Sequence, residues 1–166
     1  MNGAFGSGKT TIAKELSAVL EGSIIYDPEI IGGTIQKLYP DCMKLDDSQD
    51  YPEWRDFNKK LLGKISDEFD GDIIVPMTLY KKKYYEELIQ GLRDKGHIVK
   101  HFLLEVTKDQ IYMRLKKRND GTFEWGVSKL DEFLEKCNQL EFTDVISNNS
   151  EDTQIVVRKI LENLQK

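Results

Sequence analysis

The sequence predicts an α/β protein in which a parallel sheet carries helices on both faces. Short apolar segments of strand length alternate along the chain with longer segments that have helical periodicity. A glycine-rich segment, residues 3–8, leads directly into the first of the helical segments. The 166 residues suffice to bury a sizeable core, so we expect a single domain over residues 1–166.

The composition narrows the class of protein. Hydrophobic residues make up 39% and charged residues 32% of the chain, which is typical of a globular protein rather than a disordered one. The 24 basic and 29 acidic side chains give a net charge of -5, so we expect no nucleic-acid partner. Cys42 and Cys137 have neither metal-binding nor disulfide-framework spacing. No apolar run approaches the ~20 residues of a membrane helix, and no signal peptide is recognised, so we expect a cytoplasmic protein.

In the first half of the chain, periodicity predicts two helices and two strands. Thr11–Leu20 carries apolar residues on one side of a helix. Ser23–Tyr26 is typical of a short buried strand, which Asp27-Pro28 closes. Pro52–Phe69 repeats apolar residues every three or four positions and predicts a long helix, and Asp72–Met77 predicts the next strand.

The second half continues the alternation. Tyr84–Leu92 predicts a helix that ends at Lys95-Gly96, and His97–Val106 predicts a third strand. Thr107–Gln110 resembles a capping box and opens another helix. A loop is expected over Asn119–Val127, where the periodicity stops.

The last elements complete the predicted sheet. Ser128–Asp131 resembles a weaker capping signal ahead of a further helix, and Asp144–Ser147 predicts a last short strand. Asp152–Gln165 predicts a final helix. Because strands alternate with helices throughout, we expect the strands to be parallel, with helices on both faces of the sheet.

The glycine-rich segment matches the phosphate-binding pattern G-x-x-x-x-G-K-[ST] in full. Glycines let successive backbone N–H groups turn toward a polyphosphate, and the following helix adds the positive end of its dipole. Lys9 would reach the β- and γ-phosphates, and the Thr10 hydroxyl would bind Mg²⁺. The alternative is a flexible turn that matches by chance. We predict ATP and Mg²⁺ as cofactors, with nucleotide contacts from Gly3, Ala4, Phe5, Gly6, Ser7, Gly8, Lys9, Thr10 and Thr11.

A strand is expected ahead of this motif, because a phosphate-binding loop of this kind follows the end of a central strand. Only Met1 and Asn2 precede Gly3. We therefore expect the first strand to be truncated, with about half a dozen residues of strand missing upstream of Met1.

Several segments give the sequence a specific resemblance. In order and spacing the chain resembles the tunicamycin resistance protein family over nearly its whole length, through residues 2–10, Tyr26-Asp27-Pro28-Glu29, Asp50–Asn58, Ile74–Thr78 and His101-Phe102. The wider group that it resembles is the nucleoside-monophosphate-kinase-like P-loop proteins, which include shikimate kinase and chloramphenicol phosphotransferase. The resemblance implies a three-layer P-loop NTPase fold with strand order 2-3-1-4-5, a short lid at about 119–127 and a small-molecule acceptor. It also implies ATP binding and resistance to tunicamycin, a uridine-containing antibiotic, by phosphorylation or by sequestration.

Candidate acceptor residues lie within the segments that support the resemblance. Asp27 ends a predicted strand, where ligands gather in open α/β sheets, and in similar kinases an aspartate here orients or deprotonates the acceptor hydroxyl. Its alternative role is a turn-forming Asp-Pro pair. Trp54 and Arg55 suit a flat polar ligand, although a core tryptophan beside a solvated arginine is the alternative. Met77, with Pro76, is a candidate for the lining of the acceptor pocket.

Arg114 and Arg118 lie four residues apart on the helix before the predicted lid. The resemblance implies that Arg114 packs on adenine and that Arg118 contacts the transferring phosphates, where positive charge stabilises the transition state. A basic solvated helix face is the alternative. The resemblance also places Asn148 near adenine. The strand predicted at Asp72–Met77 has no carboxylate at its end, so a usual Walker B aspartate is absent and Mg²⁺ would rest on Thr10, phosphate oxygens and water.

Three functions fit these residues. The leading hypothesis is an ATP-dependent phosphotransferase that acts on a small molecule, such as tunicamycin or a nucleoside-like compound, with Lys9, Asp27 and Arg118 as catalytic residues. The second is a non-catalytic protein that sequesters tunicamycin in an ATP-dependent way. The third is a kinase of an unidentified metabolite.

Overall fold

The computed structural model describes residues 1–150 and 152–165. Its strands are short and are paired in parallel: β1 (Ile24–Ile25) with β2 (Ile73–Ile74), and β3 (Phe102–Glu105) with β4 (Asp144–Ser147). In register, Ile24 lies opposite Ile73, and Phe102 lies opposite Asp144.

Met1 and Asn2 lie between the two pairs of strands and join them. The Met77 amide donates to the Met1 carbonyl at 3.1 Å, and the Asn2 amide donates to the Phe102 carbonyl at 2.7 Å. Asn2 also forms an isolated parallel bridge with Leu103. The order across the sheet is therefore β1, β2, Met1-Asn2, β3, β4. This is the predicted order 2-3-1-4-5, with Met1 and Asn2 in the place of strand 1.

The helices alternate with the strands as predicted. They are α1 (Lys9–Val19), α2 (Glu29–Leu38), α3 (Pro52–Glu68), α4 (Lys82–Tyr85), α5 (Gly91–Arg93), α6 (Lys108–Arg118), α7 (Phe123–Cys137) and α8 (Thr153–Leu164). A π-helical segment, Glu86–Gln90, connects α4 to α5, and 3₁₀ turns span Asp41–Met43 and Ser48–Asp50. None of the described helices is long and apolar enough to cross a membrane.

Apolar clusters show that helices cover both faces of the sheet, as predicted. On one face, Leu16 of α1 packs with Leu104 of β3 and with α8. Leu103 is the next residue along β3, so its side chain faces the other way, and it packs with Leu115 of α6 and with α7. A third cluster joins Trp54 of α3 to the helical segment that follows β2. Both faces are thus covered, and the glycine-rich loop follows the central residues of the sheet.

The strand predicted at His97–Val106 is shorter in the structure, because β3 begins only at Phe102. The Val99 carbonyl accepts hydrogen bonds from both Nε and Nη2 of Arg93, at 3.3 and 3.0 Å. The His101 amide donates to a side-chain hydroxyl, Thr143 Oγ1, at 2.8 Å. Side chains thus take the place of strand partners for the Val99 carbonyl and the His101 amide.

The predicted loop over residues 119–127 is wrong for its second half, because α7 already begins at Phe123. The break between α6 and α7 spans four residues, in which Asn119 (φ 48°) and Gly121 (φ 77°) are left-handed. The capping signal predicted at Ser128 is also wrong. Ser128 lies inside α7, where its Oγ donates to a backbone carbonyl one turn earlier at 2.7 Å.

The sequence does not predict α2, whose centre contains two poor helix formers, Gly32 and Gly33. The structure shows why a glycine is needed there. A Cβ on Gly32 would lie 2.4 Å from Ser48 Oγ. The glycine thus allows the 3₁₀ turn that precedes α3 to pack closely against α2.

A candidate nucleotide and acceptor site

The glycine-rich loop has two positions that favour glycine for both conformation and space. Gly6 (φ 80°) and Gly8 (φ 90°) have left-handed backbones. A Cβ on Gly8 would lie 2.8 Å from Asn148 Nδ2, and a Cβ on Gly6 would lie 3.0 Å from Leu115 Cγ. Because α1 begins immediately after Gly8, the loop and the helix N-terminus together suit a bound polyphosphate.

Three side chains brace this loop, and two of them come from distant parts of the sequence. Asn2 Oδ1 accepts a hydrogen bond from the Gly3 amide at 2.7 Å. Thr78 Oγ1 donates to the Gly3 carbonyl at 3.1 Å, and Asn148 Nδ2 donates to the Ser7 carbonyl at 2.8 Å. The loop is therefore held at both ends before any ligand binds.

Lys9, the first residue of α1, lies against the loop and is only 7% exposed. Its Nζ donates to the Gly3 carbonyl at 2.9 Å and to the Ala4 carbonyl at 3.0 Å. Burial lowers the pKa of Lys9 to about 8; Arg118 adds to this shift, whereas Glu29 and Asp27 oppose it. At neutral pH the amine is therefore mostly protonated and can bind an anion.

A cavity of about 1090 Å³ opens beside the loop. One group of lining residues comes from the loop, α1 and α6, and it includes Phe5, Gly6, Gly8, Lys9, Thr10, Thr11, Arg114 and Arg118. A second group, which we call the polar wall, consists of Glu29, Asp46, Asp47, Ser48, Gln49, Trp54, Met77 and Thr78. Its volume is slightly above the ~300–1,000 Å³ that is usual for small-ligand pockets.

Gly3, Ala4 and Ser7, although predicted to contact the nucleotide, are buried and do not line the cavity. Their backbone carbonyls bind the bracing side chains and Lys9 instead. Asp27 does not line the cavity either. Its Oδ1 accepts a hydrogen bond from the Glu29 amide at 2.9 Å, which is a turn-forming contact, and its role toward an acceptor hydroxyl stays a prediction.

Arg55 is held behind the polar wall, so the predicted contact with substrate is not what the structure shows. The guanidinium is only 6% exposed and does not line the cavity. Its Nε is ion-paired with Glu87, its Nη1 donates to the Gln49 carbonyl at 2.7 Å, and the group lies 4.2 Å from the Tyr84 ring centroid. Arg55 therefore holds the wall in place, whereas Trp54 and Met77 line the cavity, and their contact with a substrate stays a prediction.

Arg114, Arg118 and Asn148 all line the cavity. Arg114 Nη2 donates to the Asn148 carbonyl at 2.8 Å, and Arg118 Nε donates to Asp120 Oδ2 at 2.9 Å. The Asn148 side chain is hydrogen-bonded to the loop, so in this structure it positions the loop.

Sequence reasoning missed Asp47 and Gln49, which are only 4% and 2% exposed. Burial raises the pKa of Asp47, and hydrogen bonds from Gln49 and Tyr80 oppose that rise. Asp47 Oδ1 accepts from the Gln49 amide at 3.1 Å, which is the local turn that Asp commonly makes two residues on. That turn signal, directly before a predicted helix, was the available clue.

Trp125 was also missed, because it falls in the segment that was predicted to be a loop. Its ring contacts Phe5 of the glycine-rich loop edge-on, with centroids 4.4 Å apart. Its Nε1 donates to Asp46 Oδ1 at 3.0 Å, and Lys129 of α7 forms an ion pair with the same carboxylate. The hydrogen bond from Lys129 lowers the pKa of Asp46. The start of α7 is therefore attached both to the loop and to the polar wall.

The donor set near the loop fits magnesium bound to a polyphosphate rather than a metal held by protein alone. Among residues 1–150 and 152–165, no group of three or more His, Cys, Asp or Glu side chains could hold a metal ion. The exposed Thr10 hydroxyl lines the cavity next to Lys9. Mg²⁺ commonly keeps water and phosphate ligands and takes only one or two from the protein.

A family model described as an AAA domain matches residues 1–140. The chain belongs to the AAA domain family. A comparison with curated proteins gives no match.

Solved structures share the fold of this AAA-domain chain over almost its whole length. The tunicamycin resistance protein of Deinococcus radiodurans is 29% identical, with a TM-score of 0.72, and the match covers 99% of this chain and 93% of that one. A gluconokinase from Sinorhizobium meliloti is 18% identical, with a TM-score of 0.67 and coverage of 98% and 88%. A shikimate kinase from Bacteroides thetaiotaomicron is 16% identical, with a TM-score of 0.62 and coverage of 99% and 96%.

These similarities confirm two predictions made from the sequence. The resemblance to a tunicamycin resistance protein extends over the whole fold, and the fold is that of the P-loop kinases. With the family match and the glycine-rich loop, they make this chain a nucleotide-binding, kinase-like protein.

Proposed function

We propose that this chain is an ATP- and Mg²⁺-dependent phosphotransferase that acts on a small molecule. The observation that supports this most strongly is the composition of the cavity. Phosphate-binding residues of the loop and the polar wall line one continuous space. Such a cavity can hold a nucleotide beside a second molecule, as phosphoryl transfer requires.

On the nucleotide side, the loop N–H groups and Lys9 would bind the β- and γ-phosphates. Lys9 would exchange its carbonyl partners, Gly3 and Ala4, for phosphate oxygens, which are stronger acceptors because they are charged. Thr10 would supply the protein ligand to Mg²⁺. Arg118 is half exposed on the same cavity, so it can turn toward the charge that develops on the γ-phosphate.

The transfer itself would be a direct displacement. The acceptor hydroxyl oxygen forms a bond to the γ-phosphorus, the bond from that phosphorus to the bridging oxygen breaks, and ADP leaves. The hydroxyl proton passes to a carboxylate. Asp27 is the predicted base, and Glu29, two residues away, is the alternative because its side chain lines the cavity. Both carboxylates are near enough to Lys9 to raise its pKa.

The lid of this domain would consist of the break at 119–122 and the first turns of α7. Asn119 and Gly121 can act as the hinge because both are already left-handed. Trp125 and Lys129, which both contact Asp46, would hold the lid closed over the cavity.

Tunicamycin is the acceptor to test first, because a tunicamycin resistance protein shares this fold at 29% identity. The protein should be incubated with Mg²⁺, ATP and tunicamycin, and the drug examined by mass spectrometry for the added mass of one phosphoryl group. Asp27→Asn and Glu29→Gln should be run in parallel. The variant that loses transfer while keeping nucleotide affinity identifies the base, and unmodified drug with the wild-type protein would exclude tunicamycin as the acceptor.

A non-catalytic, ATP-dependent tunicamycin-binding protein is the second candidate. The observation that favours it lies in the segment that follows β2, where Thr78 braces the loop and residues 75–78 include no carboxylate. Tight binding of intact drug in the presence of ATP would support this candidate. Turnover of other hydroxyl compounds, with tunicamycin unchanged, would support a kinase of an unidentified metabolite.

A further inference from the structure

Asp47 and Gln49 form a rigid pair within the polar wall. The Gln49 amide N–H donates to Asp47 Oδ1 at 3.1 Å, and its side-chain Nε2 donates to Asp47 Oδ2 at 2.9 Å. The Gln49 carbonyl accepts from Arg55 Nη1 at 2.7 Å. Because its backbone N–H and C=O are both hydrogen-bonded, the Gln49 main chain has little conformational freedom. The Asp47 carboxylate can only accept, so the side-chain atom of Gln49 that faces it is the nitrogen Nε2.

The remaining polar atom of Gln49 is its side-chain oxygen, Oε1. It is buried and has no hydrogen-bond partner among the described residues. A buried acceptor without a partner costs about 1–3 kcal/mol, so native structures rarely keep one without a reason. Because other atoms of Gln49 line the cavity, a bound molecule with a hydrogen-bond donor could supply this partner through a small rotation of the side chain.

The indole N–H and phenol O–H groups around this pair are already in use. Trp54 Nε1 donates to the Pro28 carbonyl at 2.9 Å, and the Tyr80 hydroxyl donates toward Asp47 Oδ2 at 3.1 Å. Trp125 Nε1 donates to Asp46. Apart from the Ser48 hydroxyl, which can donate or accept, the free hydrogen-bonding atom of this pair is the acceptor Gln49 Oε1, which calls for a ligand with a donor.

Basic and acidic side chains lie on opposite sides of the cavity. Lysine and arginine side chains in its lining come from α1 and α6, namely Lys9, Arg114, Lys117 and Arg118. The polar wall contributes carboxylates, from Glu29, Asp46 and Asp47, and no lysine or arginine among the described residues. Asp46 is paired with Lys129, and Arg55 is buried behind Gln49, so the repulsion of a carboxylate ligand on this wall would come from Glu29 and Asp47.

We propose that Asp47 and Gln49 form a specificity-determining subsite, which selects an uncharged acceptor bearing N–H or O–H donors and discriminates against carboxylate acceptors. The inference rests on the proposed function, because the molecule it describes is the acceptor of that reaction. Gln49 would accept a hydrogen bond from the ligand through Oε1. Asp47 would fix the Gln49 amide and repel anions.

The test is calorimetric titration of the full chain, saturated with Mg²⁺ and the non-hydrolysable analogue AMPPNP, with four probes. Tunicamycin and uridine are uncharged and rich in donors, whereas gluconate and shikimate carry a carboxylate. We expect an uncharged probe to bind at least about tenfold more tightly than either carboxylate, which corresponds to one discriminating contact. Equal or tighter binding of the carboxylates, or no binding of either uncharged probe, would overturn the proposal.

Two variants assign the effect to residues. Gln49→Met keeps the side-chain length but removes Oε1 together with the Nε2 donor to Asp47, and it should weaken binding of the preferred probe about tenfold, with AMPPNP affinity unchanged. Gln139→Met makes the same replacement at an exposed site and should have no effect. Glu29→Gln removes a wall charge at an exposed position and should improve gluconate binding relative to the wild type. If Gln49→Met proves unstable by thermal unfolding, the preference of the wild type among the four probes decides the proposal.

Mass spectrometry of the same probes with ATP separates this proposal from the proposed function. If binding depends on Gln49 but no phosphoryl group is transferred, the result contradicts the proposed kinase activity and supports the subsite. Phosphoryl transfer by folded Gln49→Met with an unchanged KM would contradict the proposed subsite and support the kinase activity.

Discussion

Asn148 and Ser7 are joined by a hydrogen bond in which Asn148 Nδ2 donates to the Ser7 carbonyl at 2.8 Å, across 141 residues of sequence. The Asn148 carbonyl in turn accepts from Arg114 Nη2 at 2.8 Å. Asn148, which directly follows β4, thus fixes the positions of the glycine-rich loop and of an arginine of α6 relative to each other. The conformation of the loop depends on the far end of the chain as well as on its own glycines.

Replacement of this brace should loosen the loop. Asn148→Ala removes the donor to Ser7 and should weaken AMPPNP binding about tenfold and destabilise the fold by about 1–3 kcal/mol. Calorimetry and urea unfolding measure the two effects. Asn149→Ala is the matched control, because the Asn149 side chain binds the Thr107 amide instead. Equal AMPPNP affinity in the two variants would show that the brace does not matter for the nucleotide.

Gly8→Ala should be much more damaging than Gly22→Ala. Both glycines are left-handed, with φ of 90° and 72°, so both variants carry a backbone cost of about 1–2 kcal/mol. Only at Gly8 would the new Cβ meet a neighbour, Asn148 Nδ2, at 2.8 Å; Gly22 has open space. Gly8→Ala should therefore lose AMPPNP binding, whereas Gly22→Ala should bind normally. Normal binding by Gly8→Ala would contradict the loop geometry.

Arg55→Ala should act on stability and not on the nucleotide. The substitution leaves the Glu87 carboxylate and the buried Gln49 carbonyl without their partner, so we expect a loss of about 3 kcal/mol in urea unfolding. Lys60→Ala, in an exposed pair with Asp56, should cost less than about 1 kcal/mol. If Arg55→Ala is as stable as the wild type but no longer turns over the acceptor, the result would instead support a direct contact between Arg55 and the substrate.

AMPPNP affinity should depend on pH through Lys9. Burial lowers its pKa to about 8, and a polyphosphate binds the protonated amine, so affinity should be constant below about 8 and fall as pH rises above it. The slope should approach tenfold per pH unit. Lys9→Arg keeps its positive charge at every pH in this range, so its AMPPNP affinity should not fall above pH 8. A wild-type affinity that stays flat above pH 8 would contradict the lowered pKa.

The same pKa has a consequence for the unliganded fold. Between about 8 and the ordinary value of 10.5, the unfolded chain still binds the Lys9 proton and the folded chain has released it. Stability contributed by this group should therefore rise with pH across that window. The urea midpoint of the wild type relative to Lys9→Met should show this trend.

The glycine-rich loop could be predicted because its pattern is contiguous in sequence and each position has its own chemical reason. The alternation of helices and strands was equally accessible, since apolar periodicity is a local property. The start of β3 could not be predicted in this way, because the Val99 carbonyl accepts a hydrogen bond from the Arg93 side chain, a contact that apolar periodicity cannot reveal.

The polar wall could not be predicted, because its position depends on contacts between distant residues. Gln49 lies there because Arg55 holds its carbonyl and because Gly32 lets the neighbouring Ser48 approach α2. An arginine next to a tryptophan suggests a ligand contact when it is considered alone. Only the ion pair with Glu87 shows that Arg55 supports the wall from behind.

The most direct test of nucleotide binding at Gly3–Thr10 is a calorimetric titration of the wild type and of Lys9→Ala with AMPPNP in the presence of Mg²⁺. We expect one nucleotide per wild-type chain, and affinity lower by about 100-fold in Lys9→Ala, because two charge-assisted hydrogen bonds to phosphate are lost. Thermal unfolding of the unliganded variant should confirm that it is folded. A wild type that binds no AMPPNP, or a folded Lys9→Ala that binds it as tightly, would contradict the assignment of this loop as the nucleotide site.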